Sequence, residues 1–312
     1  MMTAYGLITR TGCPACGGTA ARTLFTAALD GPLLRGYLSA YYARDVAVAG
    51  AYCALECATC ATLYQRDVGN GPLLSDLYDQ WMPPSRPEED AGYRYDVTNP
   101  AASRDGHEIM VASAYLGVPL GAMHTLDYGM GWAGWARVAR ALGCVSHGYD
   151  LADSRMAHAA AHGILPDNGR YHFINTEQVM EHIEDPVALV GELAGKLRPG
   201  GVLKISVPAQ DGVRAELARL AAGGDRVNAA GLMPLHPLEH VNAFSREGLA
   251  RLGAMHGLAL VRPGLATRYA FLRHAGAMDW ADLPRVAKEM VRPVWQWVSP
   301  RNTYVWLQKP AA

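Results

Sequence analysis

The pattern of hydrophobic and polar positions changes near residue 107. From His107 onward, short apolar runs typical of strands alternate with segments of helical periodicity. Such alternation favours a parallel sheet covered by helices on both faces, so the fold class is α/β with a doubly wound, Rossmann-like sheet. The predicted elements are helix 107–117, strand 123–128, helix 132–142, strand 144–149, helix 153–162, strand 170–175, a helix opened by Asp185-Pro186, strand 202–207, a helix capped by Ser245, strand 258–262 and strand 303–308.

The chain before residue 107 has a different texture. Residues 1–66 contain most of the cysteines, and Leu24 to Leu38 has helical spacing. Residues 67–106 are polar and rich in proline, which indicates a linker or lid. Residues 107–312 form the α/β domain, with a helical insertion at about 266–300. Tryptophans of that insertion are expected to pack in it or to form a substrate wall: Trp280, Trp295 and Trp297.

Composition excludes some classes of protein. Half of the 312 residues are hydrophobic and 18% are charged, which excludes global disorder. The 28 basic and 29 acidic side chains give a formal net charge of -1, whereas a protein that mainly grips nucleic acid would normally be basic. Nucleic acid is therefore disfavoured as a partner, and composition leaves the oligomeric state open.

No feature of the sequence predicts a membrane protein. The start of the chain has neither a basic region nor an apolar core of the kind that marks a secretory signal. The longest uncharged stretch, Ile109 to Leu126, is interrupted by Gly117, Pro119 and Gly121, which is atypical of a membrane span. We expect a cytoplasmic location and no membrane partner.

Two C-x-x-C units dominate the N-terminal segment. Cys13 and Cys16 form one knuckle, and Cys57 and Cys60 form the second. In a reducing compartment such pairs favour a metal over disulfides, and four thiolates complete a closed structural zinc site. A pair of buried or redox-active cysteines is the alternative interpretation. Cys53 competes as a ligand only by its closeness in sequence, and Cys144 is expected in the core.

A glycine-containing turn follows the predicted strand at 123–128. Gly129 allows a tight bend, and Gly131 lets a ligand approach the backbone closely. Asp150 follows Gly131 by 19 positions, at the end of the next strand, where an acidic side chain accepts hydrogen bonds from ribose hydroxyls. This combination predicts an adenosine-bearing ligand, either NAD or another one.

Five blocks together resemble the class I S-adenosylmethionine-dependent methyltransferases whose N-terminus carries a zinc-binding segment. The resemblance covers about 107–262, the cysteine knuckles and the final strand. The blocks are Leu126-Asp127-Tyr128-Gly129-x-Gly131, Gly148-x-Asp150, Val179-Met180-Glu181-His182-Ile183-Glu184-Asp185-Pro186, Leu197-Arg198-Pro199-Gly200-Gly201-x-Leu203-x-Ile205-x-Val207-Pro208 and Leu238-Glu239-His240-Val241-Asn242-x-Phe244-Ser245.

The resemblance implies S-adenosylmethionine as cofactor and assigns roles. Gly129 and Gly131 would cradle the methionine part, Asp127 would hold its amino group, and Asp150 would bind the ribose. The remaining expected cofactor residues are Tyr128, Leu151, Thr176, Glu177 and Gln178. The chain departs from the family pattern at Ala133, which replaces a third glycine, and in its minimal third strand between Gly163 and Tyr171.

The methyl acceptor is inferred from the candidate bases. The position after the fourth strand reads Asn175-Thr176-Glu177-Gln178, which lacks the Asn/Asp-Pro-Pro-aromatic motif common in enzymes that methylate base amines. A hydroxyl acceptor needs a base, and histidine suits neutral pH. His240 is the first candidate, followed by His182 and His236, and each has a structural role as its alternative. Glu181 and Glu239 would join His182 and His240 if a divalent cation oriented a diol.

The resulting hypothesis is methyl transfer to a small molecule, at a hydroxyl of a sugar-type or natural-product intermediate. One alternative is an RNA methyltransferase that uses the zinc segment as a clamp. A second is a non-catalytic, cofactor-binding partner protein, which would not need both a cofactor loop and a candidate base.

Overall fold

The structure is a computed structural model. It describes residues 5–81, 90–277, 283–284, 286–288, 290–291 and 302–311. Trp280, Trp295 and Trp297 lie outside the described residues, as does much of the predicted insertion at 266–300. No helix among the described residues is long and apolar enough to cross a membrane.

The strands and helices follow in chain order. The strands are β1 Leu7–Thr9, β2 Ala21–Ala28, β3 Ala51–Cys57, β4 Leu63–Gln65, β5 Asp67–Gly69, β6 His124–Tyr128, β7 Val145–Tyr149, β8 Leu165–Pro166, β9 Tyr171–Glu177, β10 Leu197–Pro208, β11 Asn242–Ala243, β12 Ala259–Val261 and β13 Asn302–Gln308. The α-helices are α1 Pro32–Tyr41, α2 Gly71–Asp76, α3 Ala91–Thr98, α4 Arg104–Leu116, α5 Gly134–Ala141, α6 Asp153–Ala161, α7 Pro186–Lys196, α8 Val213–Ala221, α9 Ala229–Leu232, α10 Arg246–Ala254 and α11 Leu265–Arg268.

The chain forms two compact units, each with most of its contacts within itself. The first comprises residues 1–85, 180–189 and 207–255, and the second comprises 86–179, 190–206 and 256–312. Each unit is discontinuous along the chain, whereas the segments 1–66, 67–106 and 107–312 are continuous and stay a sequence-based prediction. The stretch 67–106 holds β5, α2, a π-helical turn at Leu77–Trp81 and α3.

The second unit contains the predicted sheet. Its seven strands lie in the order β12-β13-β10-β9-β6-β7-β8. The neighbours from β10 to β8 are parallel, while β12 pairs antiparallel with β13. The expected α/β, Rossmann-like class is confirmed, and the third strand, β8, is only two residues long, as the short stretch after Gly163 indicates. Since β6 lies between β9 and β7, ligands are expected beyond its carboxyl end.

One of the apolar clusters of this unit includes side chains of the central strands. Phe173 of β9 and Val202 of β10 are fully buried, and Trp135 and Val138 of α5 pack with them. Cys144 is buried in the same cluster, as expected. These contacts anchor the first turn of α5, and with it the glycine turn that follows β6.

The first unit is built on a different sheet. Its four strands lie in the order β11-β4-β3-β2, and a separate pair joins β1 to β5. Leu34 and Leu38 lie one helical turn apart on α1 and are fully buried, as is Tyr52 of β3. Pairing of β11 with β4 brings residues 242–243 next to residues 63–64 although they are distant in sequence.

The helical spacing of Leu24 to Leu38 is misleading over its first part. Residues up to Ala28 belong to β2, and the helix begins only at Pro32. A turn at Leu29-Asp30 separates them. A proline is favourable at the first position of a helix because its missing N–H has no partner there anyway. Helical periodicity over the short span before the turn therefore gave the wrong element.

Candidate functional site

The four knuckle cysteines converge in the first unit. One sulfur from each of Cys13, Cys16, Cys57 and Cys60 lies within 4.8 Å of the others. The Cys13–Cys60 and Cys16–Cys57 sulfur pairs are 3.6 and 3.5 Å apart. A zinc ion with Zn–S bonds of about 2.3 Å requires tetrahedron edges of about 3.8 Å. The thiol groups therefore have the spacing that a tetrathiolate zinc site needs.

Backbone groups support the two knuckles in the same way. The amide of Ala15 donates to Cys13 Sγ at 3.4 Å, and the amide of Thr59 donates to Cys57 Sγ at 3.4 Å. The residues that follow the second cysteine of each knuckle, Gly17 and Ala61, both have positive φ, at 68° and 56°. This repeated geometry stabilises thiolates because each turn aims an N–H at a sulfur.

Cys53 and Cys144 are placed elsewhere. Cys53 is buried on β3 and accepts a hydrogen bond from Thr26 Oγ1 at 3.5 Å. Neither cysteine belongs to the sulfur cluster found among the described residues. Sequence closeness of Cys53 to Cys57 thus does not bring its sulfur into the site.

The two glycines after β6 differ in their surroundings. Both have left-handed backbone conformations, with φ of 71° at Gly129 and 55° at Gly131. A Cβ on Gly129 would lie 2.5 Å from Val179 Cγ2, whereas a Cβ on Gly131 would meet nothing within 4 Å. Gly129 is therefore required by close packing, and the backbone of Gly131 faces open space.

Asp150 closes this loop onto β7. Its Oδ2 accepts a hydrogen bond from the amide of Gly131 at 2.9 Å, and its Oδ1 accepts one from the amide of Ala152 at 3.1 Å. Arg155 lies 3.3 Å from the same carboxylate. The spacing of 19 residues recognised in the sequence thus corresponds to a direct contact between Asp150 and the glycine loop.

A polar cavity of about 290 Å³ lies beside the loop. Among the predicted cofactor residues, Asp127, Gly129 and Glu177 line it. The other lining residues were not predicted as cofactor contacts: Arg104, Asp105, Met130, Gly134, Trp135 and Asn175. The cavity combines a guanidinium with several carboxyl groups, which suits a ligand that carries both an ammonium and a carboxylate.

Burial changes the acidity of this cavity. Desolvation raises the pKa of Asp127 to about 7, although a 2.7 Å hydrogen bond from Asn175 Nδ2 opposes the shift. Desolvation likewise raises the pKa of Asp105 to about 6, helped by the charge of Glu108. A ligand cation would stabilise both carboxylates, so the pair is suited to an ammonium group.

Glu177 belongs to an ion-pair network at the wall of the cavity. Its carboxylate lies 2.5 Å from Lys204 Nζ and 2.9 Å from Arg104 Nη2. Lys204 is fully buried and also contacts Glu108 at 3.0 Å. These charges hold the pKa of Glu177 below its usual range despite burial, so it stays an anion.

The remaining predicted cofactor residues do not line this cavity. Thr176 is buried and its hydroxyl donates to the carbonyl of Lys204 at 2.9 Å, while the ring of Tyr128 stacks on Tyr149 at 4.9 Å. Gln178 has a φ of 55°, and its amide donates to the carbonyl of Ser206 at 2.8 Å. Leu151 is 84% exposed.

Three of the cavity residues that the sequence analysis did not predict show which signals in the sequence could have identified them. Asn175 pairs directly with Asp127 across β6 and β9, so the meeting of parallel strand ends predicts its place. Arg104 and Asp105 begin α4, three residues before the predicted start of that helix. Ser103 caps it by accepting a hydrogen bond from the amide of Gly106 at 2.9 Å, a signal hidden within a polar stretch.

Histidine candidates come together in the first unit. The rings of His182 and His240 are 4.6 Å apart at 80°, and His240 Nδ1 lies 2.7 Å from the carbonyl oxygen of Met233. A carbonyl only accepts, so Nδ1 carries the proton and Nε2 of a neutral His240 is the basic nitrogen. Burial lowers the pKa of His240, so the ring is neutral at neutral pH.

The ring of His182 is also oriented by hydrogen bonds at Nδ1. Its Nδ1 lies 3.1 Å from the carbonyl oxygen of Glu239 and 2.8 Å from the hydroxyl of Tyr78. The carbonyl fixes the proton on Nδ1, and the Tyr78 oxygen then accepts as well. Burial and the neighbouring His240 lower the pKa of His182 to about 3. Two neutral imidazoles therefore lie together, each with Nδ1 engaged.

Glu239 lies next to His240 and to His236. Its Oε1 is 3.9 Å from His240 Nε2, its Oε2 is 4.0 Å from His236 Nδ1, and Tyr41 donates to Oε2 at 2.9 Å. His236 is completely buried, with the ring of Tyr41 4.3 Å away. The structure thus brings His182 and His240 together, and it places His236 behind Glu239 in a tyrosine-lined core.

Three residues of this cluster could bind a divalent cation instead of taking part in proton transfer. One ligand atom each from Glu181, His182 and His240 lies within 4.8 Å of the others. That grouping is compatible with a cation, as the sequence indicated, and equally with a site for proton transfer.

Comparison with known proteins gives a family and similar folds. A family model described as a methyltransferase domain matches residues 107–262, half of the chain. No curated protein matches the sequence. Similar solved structures include the plantazolicin methyltransferase BamL in complex with a triazolic desmethylPZN analog and SAH, at 14% identity and a TM-score of 0.46, covering 76% of this chain and 94% of that one.

Two further structures are similar at the same level of identity. Phosphoethanolamine N-methyltransferase 2 of Haemonchus contortus, in complex with S-adenosyl-L-methionine, is 14% identical with a TM-score of 0.43, covering 80% of this chain and 63% of that one. Mycolic acid cyclopropane synthase CmaA1, complexed with SAH and CTAB, is 14% identical with a TM-score of 0.39, covering 64% and 82%. None of these similarities indicates the acceptor.

Proposed function

The chain belongs to the class I S-adenosylmethionine-dependent methyltransferases, and we propose that its acceptor is a hydroxyl of a small molecule, a sugar-type or natural-product intermediate, with His240 as general base. The observation that carries this proposal is the orientation of His240: Nδ1 is engaged by Met233, which leaves Nε2 to accept a proton. Glu239, 3.9 Å from that nitrogen, would stabilise the imidazolium that forms.

S-adenosylmethionine, when bound, supplies a methyl group on a sulfonium that is already activated. The residues suited to hold it are those of the polar cavity and the glycine loop. Arg104 would bind its carboxylate, and Asp105 and Asp127 would bind its ammonium group, since all three line the cavity. The open backbone of Gly131, fixed by Asp150, admits close approach. Catalysis by these residues is mainly positioning.

The proton of the acceptor hydroxyl is the group that the chain must remove. A neutral imidazole is the required state, and burial favours it at His240 and His182. In the chain, His182 follows Glu177, a residue that lines the cofactor cavity, by five positions. His182 orients the cluster through Tyr78 and the carbonyl of Glu239, and His240 takes the proton.

We also propose that the four-cysteine cluster holds one structural zinc ion. The sulfur spacing and the paired N–H contacts support this assignment. A closed set of four thiolates leaves no open position for substrate, so the metal would act on folding rather than on the methyl transfer.

The acceptor proposal is tested with the full chain and a panel of hydroxyl-bearing sugars and natural-product intermediates, by following S-adenosylhomocysteine formation. General-base assistance contributes about 10²–10⁴-fold, so His240→Ala should lower kcat by that order while affinity for S-adenosylhomocysteine stays nearly constant. Because the pKa of His240 is lowered, the acid fall of kcat should lie below about pH 6.5. His162→Ala, outside both sites, is the matched control and should keep the wild-type rate.

Three outcomes would contradict parts of this proposal. Loss of turnover in His182→Ala or His236→Ala, but not in His240→Ala, would mean that the mechanism is correct and that a histidine other than His240 is the general base. Full activity of all three variants would exclude histidine base catalysis. A product methylated at carbon or nitrogen, or labelled RNA in place of a labelled small molecule, would replace the hydroxyl acceptor.

A further inference from the structure

Arg10 connects the cysteine-rich segment to the turn that carries His240. It follows β1 and precedes Cys13 by three positions. Its Nε and Nη2 donate to the carbonyl of Gln65 at 3.0 and 2.6 Å, and Nη2 also donates to the carbonyl of Val241 at 2.8 Å. Its Nη1 donates to Asn242 Oδ1 at 2.6 Å. One guanidinium thus joins β4 to the chain directly after His240.

The guanidinium of Arg10 donates its hydrogen bonds to carbonyl and amide oxygens. In the described part of the chain, no carboxylate lies at ion-pair distance from it. Desolvation lowers the pKa of Arg10 to about 10, and the groups that oppose this shift are Tyr64, Cys13 and Glu184, in that order. A zinc ion bound by four thiolates has a net negative charge. Metal binding would therefore put a permanent negative charge on Cys13, whose thiolate charge favours the charged form of Arg10.

Gln65 extends the connection to both ends of the histidine turn. Its side-chain Nε2 donates to the carbonyls of His236 and His240 at 2.9 and 3.1 Å, and its amide donates to Val241 at 3.0 Å. Within this turn Leu238 has a φ of 75°, a left-handed conformation that a residue with a Cβ adopts only when its surroundings enforce it. The bonds from Gln65 supply that enforcement.

Asn242 carries the same connection to His182. Its Nδ2 donates to the carbonyls of Met180 and Ile183 at 3.0 and 2.7 Å, which flank His182 in the chain. The amide of Val241 donates to the carbonyl of Glu181 at 2.8 Å. Both histidine turns are consequently held by one buried polar network that begins at Arg10.

We propose that Arg10 is a positioning residue that couples the zinc site to the catalytic histidines, as counter-ion of the tetrathiolate and as the clamp of the Gln65–Asn242 network. The inference rests on the proposed zinc ion and on the proposed role of His240. It gives the zinc segment a role in the geometry of the reaction, since a displacement of about 1 Å at a catalytic group costs roughly 10²-fold in rate.

The experiment separates the charge of Arg10 from its hydrogen-bonding geometry. Arg10→Met removes both, Arg10→Lys keeps the charge but loses the planar set of donors, and Arg35→Met removes an exposed arginine of the same unit that pairs with Asp45. On the zinc-loaded full chain we would measure zinc transfer to a chromophoric chelator, amide hydrogen exchange, affinity for S-adenosylhomocysteine and kcat.

Arg10→Met is expected to release zinc at least tenfold faster and to exchange the amides of residues 236–243 at least tenfold faster, while α8 stays protected. Arg10→Lys is expected to keep zinc within threefold of wild type and yet to show the faster exchange at 236–243. Both should lower kcat by about 10²-fold with cofactor affinity within twofold. Arg35→Met should match wild type in every measurement.

The proposal is overturned if exchange at 236–243 and zinc release both stay within twofold of wild type, or if exchange rises equally throughout the unit, α8 included. If Arg10→Met does not fold, Arg10→Lys and Gln65→Met decide the positioning claim, because the latter should speed exchange at 236–243 without releasing zinc. The zinc and exchange measurements need no acceptor. A failure to find any methylated hydroxyl would therefore count against the proposed function alone.

Discussion

At the scale of single residues, Gly131 offers the sharpest test of the cofactor loop. Gly131→Ala adds a methyl group where nothing lies within 4 Å, at a φ of 55°. Gly117, with a φ of 65° and equally open surroundings, lies outside the loop and provides a matched control. Both substitutions should cost about 1–2 kcal/mol for the left-handed backbone. Only Gly131→Ala should also weaken S-adenosylhomocysteine binding, by tenfold or more in calorimetry. Equal affinity in the two variants would remove Gly131 from the cofactor site.

His236 predicts a dependence of stability on pH. Burial lowers its pKa to about 3, and neither ring nitrogen has a hydrogen-bond partner among the described residues. The unfolded chain titrates near pH 6.5, so between about pH 6.5 and 3 it binds a proton that the folded state rejects. Stability is therefore lost as the pH falls below about 6.5.

Urea unfolding at pH 7.5 and pH 5.5 measures this effect. His236→Leu should remove about 1.4 kcal/mol of the difference between the two pH values, because one pH unit below the unfolded pKa costs that amount per group. His162→Leu, at the C-cap that follows α6, is the matched control for the same substitution elsewhere in the chain. An unchanged difference in His236→Leu would mean that its imidazole is charged in the folded state.

Single residues also show which parts of the candidate site can be predicted from the sequence. The spacing of Gly131 and Asp150 identified a pair that the structure joins at 2.9 Å. The resemblance also predicts Leu151 and Thr176 as cofactor residues. Leu151 is 84% exposed, and the Thr176 hydroxyl donates to the carbonyl of Lys204. Whether a side chain faces a ligand depends on local backbone direction, which a motif does not specify.

At the scale of elements, the two knuckles predict a metal-dependent segment. Cys57→Ala removes one sulfur of the cluster, whereas Cys53→Ala removes a buried sulfur of the same strand outside it. Metal analysis of protein purified without chelator should find one zinc per chain in wild type and in Cys53→Ala, and a large loss in Cys57→Ala. The Cys57→Ala segment should also unfold, since structural zinc binding is itself folding free energy. Wild-type protein without zinc would overturn the assignment.

Elements were predicted best where their ends carry chemical signals. The helix opened by Asp185-Pro186 and the one capped by Ser245 begin where the sequence indicates. The start of α4 was misplaced because Ser103 lies in a stretch interpreted as a linker. Propensity is a weak prior that a neighbouring strand overrides, as at residues 25–28, which pair with β3.

At the scale of the whole molecule, the division into two units predicts that S-adenosylhomocysteine slows amide exchange in one unit and not in the other. S-adenosylhomocysteine at 100 times its Kd should stabilise the unit that binds it by about 2.7 kcal/mol. Amide exchange of β6 and β7 should slow accordingly, by about 100-fold, while exchange of β3 stays unchanged. Equal slowing in all three strands would mean that the two units unfold as one.

The sequence by itself determined the α/β class, the succession of its strands and helices along the chain after residue 107, the family, the glycine loop with Asp150 and the four knuckle cysteines. These depend on periodicity, turn chemistry and short spacings, which are local properties of a chain. Only the tertiary structure decided that Arg10 and Gln65 hold the turn of His240, and that Arg104 and Asp105 line a cavity with Asp127. Such contacts join residues up to 232 positions apart, and they form because β11 pairs with β4 and because parallel strands end at a common edge.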